Sequence, residues 1–150
     1  MKILVTGGRS DVAQAIVKKR RAMGDTVWVT ASSEVTLEEC ERIYKPLGVE
    51  SLFFDLAKPE MQSTKLQTLL ETEIEAVVFN AAPETRMLKR LHEFSSEEVA
   101  SAMNTNISGN FWILKNILPQ LMKNKFGRLV FISSIGAMGG SRYPVYATYK

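Results

Sequence analysis

Apolar residues open the chain in a short run, Lys2 to Thr6, that breaks at TGGRSD, and from Val12 to Met23 they recur at helical spacing. The first pattern predicts a strand, the second an amphipathic helix, and the two glycines between them a tight turn. Gly24 and Asp25 end that helix. Thr26 to Thr30 alternates as a β-branched strand, and Leu37 to Leu47 returns to helical spacing before Gly48. Ser51 to Phe54 predicts a third strand, Leu66 to Leu70 falls in a third helix, and the unbroken apolar run Ala76 to Phe79 suits a strand buried on both faces. Ser95 with Glu98 forms a capping-box signature that opens a long helix through Met122, where Gly109 and Pro119 predict a bend or break, and Arg128 to Ser133 reads as a fifth strand. Strands alternating with helices imply right-handed crossovers. The predicted fold class is therefore α/β, a doubly wound parallel sheet with helices on both faces.

Composition narrows this picture. The 150 residues, 45% hydrophobic and 23% charged, suit one globular domain spanning 1–150, with no solenoid repeat, low-complexity tract or linker. Nineteen Lys+Arg against 16 Asp+Glu leave a net charge of +3, a small excess that predicts no nucleic-acid partner. The basic run Lys18 to Arg21 is assigned to the solvated face of the first helix. A single cysteine, Cys40, excludes a disulfide within the chain and a cysteine metal cluster, and a reducing, cytoplasmic setting is expected. No stretch approaches the roughly 20 apolar residues that cross a bilayer, and no export signal follows MKILVTGG, so no membrane partner is expected. The lone His92, among charges in LKRLHEF, is expected on a helix surface, and no metal site is expected.

In an open parallel sheet a ligand binds beyond the carboxyl ends of the strands, and TGGRSDVA, Thr6 to Ala13, occupies that point. Gly7 and Gly8 allow close backbone approach to a phosphate, and the helix starting near Asp11 offers a positive dipole end. Taken alone, the motif serves equally as a plain strand-to-helix turn. Asp11 would repel a pyrophosphate if it pointed inward, so it is expected to cap the first helix. Arg9 is in reach of an adenosine 2′-phosphate, its alternative being an exposed loop arginine. The second strand ends in VTASS, without the acidic residue that binds both ribose hydroxyls of NAD; Ser32 and Ser33 offer hydroxyls instead. With Arg9 they favour NADP(H), NAD(H) remaining the alternative.

Near the other end, Tyr146 and Lys150 are four residues apart and share one helix face. An ammonium near a phenol favours the phenolate, so Tyr146 can exchange a proton with a substrate oxygen. The order TGGRSDVA, FNAA at Phe79 to Ala82, NISG at Asn106 to Gly109, LPQLMKNKFGRLVFISS and YATYK resembles the short-chain dehydrogenase/reductase family, compact branch, across essentially the whole chain.

That resemblance implies a Rossmann-type NAD(P)-binding domain. Its dinucleotide loop maps onto Thr6, Gly7, Gly8, Arg9, Ser10, Asp11 and Val12, with Asp11 and Ala13 standing where the family has glycines. Ala13 is expected to crowd the helix against the cofactor by one methyl. Asp55, with its neighbour Leu56, matches the acidic position that binds the adenine amino group, and Asn80, Ala81 and Ala82 match the NNAG segment, with Ala82 replacing glycine. The family's catalytic set maps onto Asn106, Ser134, Tyr146 and Lys150. In it Tyr146 is the acid/base, Lys150 lowers its pKa and binds nicotinamide ribose, Ser134 hydrogen-bonds substrate oxygen, and Asn106 holds a relay water. Ser133 is the alternative serine, because Ser134 precedes Tyr146 by one position fewer than the compact branch usually has.

The expected function is NAD(P)-dependent hydride transfer to or from a small carbonyl or alcohol substrate. Two alternatives stand beside it: an extended-branch nucleotide-sugar epimerase or dehydratase, and a non-catalytic NAD(P)-binding sensor or scaffold. The resemblance also implies that the family's C-terminal strands and substrate-covering segment lie outside these residues. The chain is thus expected to be the cofactor and catalytic half of a longer enzyme, inactive alone, with the fifth strand left as an edge. The full-length protein is expected to form a homodimer or homotetramer.

Overall fold

The computed structural model describes residues 1–61, 63–82, 89–139 and 142–150. Its centre is β1 (Lys2–Val5), followed by α1 (Asp11–Ala22), β2 (Thr26–Ala31), α2 (Glu34–Tyr44), β3 (Glu50–Phe53), α3 (Thr64–Thr72), β4 (Ala76–Phe79), α4 (Ser96–Met103), α5 (Gly109–Asn124), β5 (Arg128–Phe131) and α6 (Pro144–Tyr149). The strands form one sheet in the order β3-β2-β1-β4-β5. Every pairing is parallel, with Leu4 beside Trp28 and Val77, Thr30 beside Leu52, and Phe79 beside Phe131. This is the predicted α/β Rossmann-type sheet. The order reverses between β1 and β4, which places the switch point at the carboxyl end of β1.

Alternation along the strands builds two cores. Ile3, Val5, Val27 and Val29 face α1 and α2 through Ala13, Val17, Cys40 and Tyr44. Leu4, Leu52, Val77 and Phe79 face α3 and α5 through Leu66, Leu70, Ile113 and Ile117. Ala13 is fully buried in the first of these layers. Its methyl seats α1 on the sheet, and Ala13 is not among the residues that line the cleft at the end of β1.

β5 is the edge. All four of its residues are exposed, although Phe131 stacks on Phe79 at 4.4 Å between ring centroids. Ile135 and Met138, just beyond it, are 88% and 89% exposed.

Several local details depart from the sequence expectations. Ser10, not Asp11, caps α1: its backbone is extended and its Oγ accepts the Ala13 N–H at 3.1 Å, one residue earlier than predicted. Asp11 is the first helical residue, where its charge still meets the positive end of the dipole. α2 begins three residues before the apolar pattern does, because Ser33 and Thr36 cap it reciprocally. The basic run divides. Lys18 and Lys19 are exposed, whereas Arg20 pairs with Asp25 at 2.5 Å and Arg21 donates to the carbonyls of Leu47 and Asp25. His92 lies on an exposed 3-10 turn, Leu91–Glu93.

The long helix predicted from Ser95 to Met122 is two helices joined by a π-helical segment, Asn104–Ser108, closed by the Gly109 N–H to the Asn104 carbonyl. Pro119 sits within α5. Among the described residues no helix is long and apolar enough to cross a membrane.

Cys40 is fully buried. Burial pushes its thiol above the ordinary range, the Glu39 carboxylate adds to this, and Arg9 opposes both. Alkylation of the folded protein at pH 8 should therefore trail that of a free thiol by about two orders of magnitude, as set by an opening free energy of about 3 kcal/mol. Reaction with a thiol reagent across a urea titration checks this. Rapid modification without denaturant would show that α2 is not seated as described.

Candidate active site

A cleft of about 790 Å³ runs along the carboxyl edge of the sheet. That is within the roughly 300–1,000 Å³ of small-molecule sites. Residues from five strand ends and their following segments meet in it.

The β1–α1 turn forms one wall, with Gly7, Gly8, Arg9, Ser10, Asp11 and Val12 lining the cleft. Gly7 has φ +70°, and a Cβ there would stand 2.8 Å from the Ala81 Cα, so the turn requires glycine twice over. Asn80 pins this turn from β4. Its Nδ2 donates to the carbonyls of Thr6 and Gly7 at 3.0 and 3.1 Å and to Ser10 Oγ at 2.9 Å. Thr6 works behind the loop. Fully buried, it accepts the Asn80 and Ala81 N–H groups on Oγ1, both at 3.0 Å. From β2, Thr30 accepts the Gly7 N–H on Oγ1 at 3.2 Å and the Gly8 N–H on its carbonyl at 2.8 Å.

The end of β2 contributes Ala31 and Ser32 to the cleft, with Thr36 from α2. The Ser33 hydroxyl is spent on the α2 cap, hydrogen-bonding Thr36, and Ser32 is left as the cleft hydroxyl of the pair. Arg9 lines the cleft and is 61% exposed, its guanidinium 3.7 Å from the Glu39 carboxylate. Past β3, Asp55 and Leu56 line the cleft, and Asp55 Oδ1 accepts the Ala57 N–H at 2.9 Å, which fixes the carboxylate's orientation. Ala81 and Ala82 extend the wall from β4.

Tyr146 of α6 and Lys150, the residue that caps it, line the cleft with Ile132 and Ser133 after β5. Lys150 Nζ donates to the Ile132 carbonyl at 3.1 Å and lies 5.9 Å from the Tyr146 ring centroid. Burial pushes the Lys150 amine below its ordinary value, and its attraction to Tyr146 opposes that shift. The Tyr146 ring is wedged edge-on between Tyr143 and Tyr149, at 6.5 and 5.5 Å.

Of the two candidate serines, Ser133 lines the cleft and donates to the Lys150 carbonyl, while Ser134 is half-buried and accepts the Gly136 N–H at 3.2 Å. Asn106 lies within the π-helical segment, buried, its Nδ2 donating to the Ala102 carbonyl at 2.7 Å; its neighbour Thr105 reaches the cleft. Thr36, Cys40, Phe54, Ala57 and Thr105 also line the cleft, and the sequence motifs did not single them out as site residues.

The donor set suits a dinucleotide: a glycine turn with Arg9 at a helix N-terminus for phosphates, the Ser32 hydroxyl after β2, and a lysine and tyrosine beyond β5. Such an arrangement at the switch point of a parallel sheet defines a Rossmann-type domain of the kind carried by nicotinamide-dependent oxidoreductases. The short chain dehydrogenase family model matches residues 1–150, and the chain belongs to that family.

Among curated proteins, it is similar to a chloroplastic tropinone reductase homolog of Arabidopsis thaliana, 29% identical over 140 residues, covering 90% of this chain and 43% of that protein. It is also similar to the 3-oxoacyl-(acyl-carrier-protein) reductase FabG of Pseudomonas aeruginosa, 30% identical over 153 aligned positions, covering 98% of this chain and 61% of that protein. The chain thus spans about half the length of the curated relatives it matches. Among solved structures, a short-chain dehydrogenase from Sphingobium yanoikuyae in complex with NADPH aligns with a TM-score of 0.82 at 19% identity, covering 99% of this chain and 60% of that one. An NAD+-bound xylitol dehydrogenase aligns at 0.84 and 21% identity, covering 99% and 59%. At these identities the likeness shows the fold.

Proposed function

We propose that the full-length protein is an NADP(H)-preferring reductase or dehydrogenase acting on a small carbonyl or alcohol substrate. One observation carries the proposal: the glycine turn and the Tyr146–Lys150 pair line a single cleft. When bound, the dinucleotide supplies the nicotinamide that gives or takes hydride.

The chain's own groups supply the rest. Gly7 to Val12 hold the phosphates at the start of α1, Asp55 and Leu56 hold the adenine, and Ala81 and Ala82 approach the nicotinamide ribose. Tyr146 moves a proton to or from the substrate oxygen at its Oη. The Lys150 ammonium stabilises the phenolate and binds ribose hydroxyls. Ser134 donates to the substrate oxygen, with Ser133, which faces the cleft directly, as the alternative donor. Asn106 holds a relay water from the π-helical segment. The presence of all four residues, two of which, Tyr146 and Lys150, line the cleft, favours this reading over the sensor, and the short Ser134-to-Tyr146 separation favours it over the nucleotide-sugar enzyme.

NADP preference rests on Arg9 and Ser32, since Ser33 is committed to the α2 cap. The same reading places the protein in the cytoplasm, its single thiol reduced. It assembles as a homodimer or homotetramer, for which exposed Phe111, Leu118 and Met122 on α5 supply apolar area.

The test is cofactor oxidation by the full-length protein with NADPH and NADH across a panel of carbonyl compounds. Turnover favouring NADPH is expected, and Arg9→Ala should cut that preference about tenfold by removing one charge-assisted phosphate contact. Equal use of the two cofactors would refute the NADP assignment. Binding without turnover across the panel would favour the sensor.

A further inference from the structure

Tyr44, at the C-terminal end of α2, is fully buried, yet it is the polar partner of the phosphate-binding turn. Its Oη donates to the Gly8 carbonyl at 2.5 Å, across 36 residues of sequence. Asn80 Nδ2 holds the preceding carbonyl, that of Gly7, at 3.1 Å. Two consecutive carbonyls of the turn are thus tied by side chains, one from α2 and one from the residue that follows β4. The Gly8 N–H is tied as well, to the Thr30 carbonyl at 2.8 Å.

The chemical consequence concerns dipole direction. A peptide whose carbonyl is anchored away from the cleft turns its N–H, the next residue's, the other way. The peptide following Gly8 carries the Arg9 N–H, and Arg9 lines the cleft. Glycine leaves that unit free to rotate in either sense, and a carbonyl turned into the cleft would repel a phosphate where an N–H would bind it. Steric seating alone does not settle the sense: a Cβ on Gly8 would meet Val29 at 2.8 Å and Cys40 Sγ at 3.2 Å, which fixes the Cα and not the peptide plane.

We propose that Tyr44 is a positioning residue for the dinucleotide pyrophosphate, holding the Gly8–Arg9 peptide in its anion-binding sense. The inference rests on the cofactor reading above and adds to it a residue that touches no ligand. The phenol is well suited to the task. Burial pushes its pKa well above the ordinary value, with Cys40 adding to the shift, so it stays a neutral donor throughout the pH range of the fold.

Tyr44→Phe removes the donor and keeps every carbon atom. In the full-length protein, calorimetric titration with NADP+ and with NAD+ should show both dissociation constants raised about tenfold, on the scale of one hydrogen-bonding interaction with a charged group. The ratio between the two should not change, because the 2′-phosphate is read elsewhere. Amide exchange at Gly8, whose N–H is held by the Thr30 carbonyl at 2.8 Å, should accelerate in the variant, a readout that general loss of stability at unchanged loop geometry would not move selectively. Tyr44→Met, which also lacks a donor, serves if the phenylalanine variant does not fold.

Unchanged affinities in a folded variant would overturn the inference while leaving the cofactor reading intact, as would weakening confined to NADP+. Wild-type protein that binds neither dinucleotide would overturn both.

Discussion

Gly109→Ala is expected to destabilise the protein by about 2 kcal/mol and to lower its melting temperature by about 4–8 °C for a chain of this size. The sign runs against helix propensity. Alanine in place of glycine inside a helix ordinarily gains about 1 kcal/mol. Here a Cβ would overlap the Leu56 carbonyl oxygen and stand 2.8 Å from Leu56 Cβ. Backbone cannot swing aside as a side chain can, so α5 must shift as a unit, at an overpacking cost of about 3 kcal/mol. Thermal melts of the two proteins measure the difference. A peptide spanning 109–124 supplies the contrast, because there the same change should raise helicity. Increased stability in the intact protein would mean that α5 does not cross Leu56 so closely.

This glycine shows where sequence reasoning reaches its limit. The pattern identified Gly109 as costly in a helix and predicted an interruption nearby. It contained no sign that Leu56, on the turn after β3, makes the glycine necessary. The π-helical segment that precedes it was equally illegible, since Asn104 to Ser108 keep an ordinary helical pattern and no residue among them marks the wider turn.

The alternation of strands and helices was legible because central parallel strands are buried on both faces, so Ile3 to Val5 and Ala76 to Phe79 read as continuous apolar runs. Helix starts were less so. Ser10 and Asp11 are both good caps, and only the extended backbone of Ser10 decides between them. In the site, Tyr146 and Lys150 were visible because one helical turn separates them. The serine was not resolved by spacing, because Ser133 and Ser134 are adjacent and lie beyond the end of β5, where their partners differ: Ser133 bonds the Lys150 carbonyl and Ser134 the Gly136 N–H. Tyr44 was hidden in its helix: its place in the apolar pattern announces burial, and nothing local announces a hydroxyl bonded to Gly8.

Tyr146→Phe should lower turnover by about 10²–10⁴-fold, the usual worth of a positioned general acid or base. The change is narrow. Edge contacts to Tyr143 and Tyr149 involve the ring, which phenylalanine retains, so α6 keeps its packing and only Oη is lost. Dinucleotide binding should therefore change little, within about fivefold, since one neutral hydrogen bond is worth about 1 kcal/mol. The loss should fall on kcat and kcat/KM together, as it does when an interaction made only in the transition state is removed. Steady-state kinetics with NADPH and a turned-over carbonyl substrate, paired with a cofactor titration, separates the outcomes. A variant with full kcat would remove Tyr146 from the chemistry and move the acid/base role to another cleft hydroxyl, of which Ser133 is the nearest in the chain to β5. Loss of cofactor binding with intact folding would instead make Tyr146 chiefly a binding residue, and the proton would then have to reach the substrate oxygen through solvent.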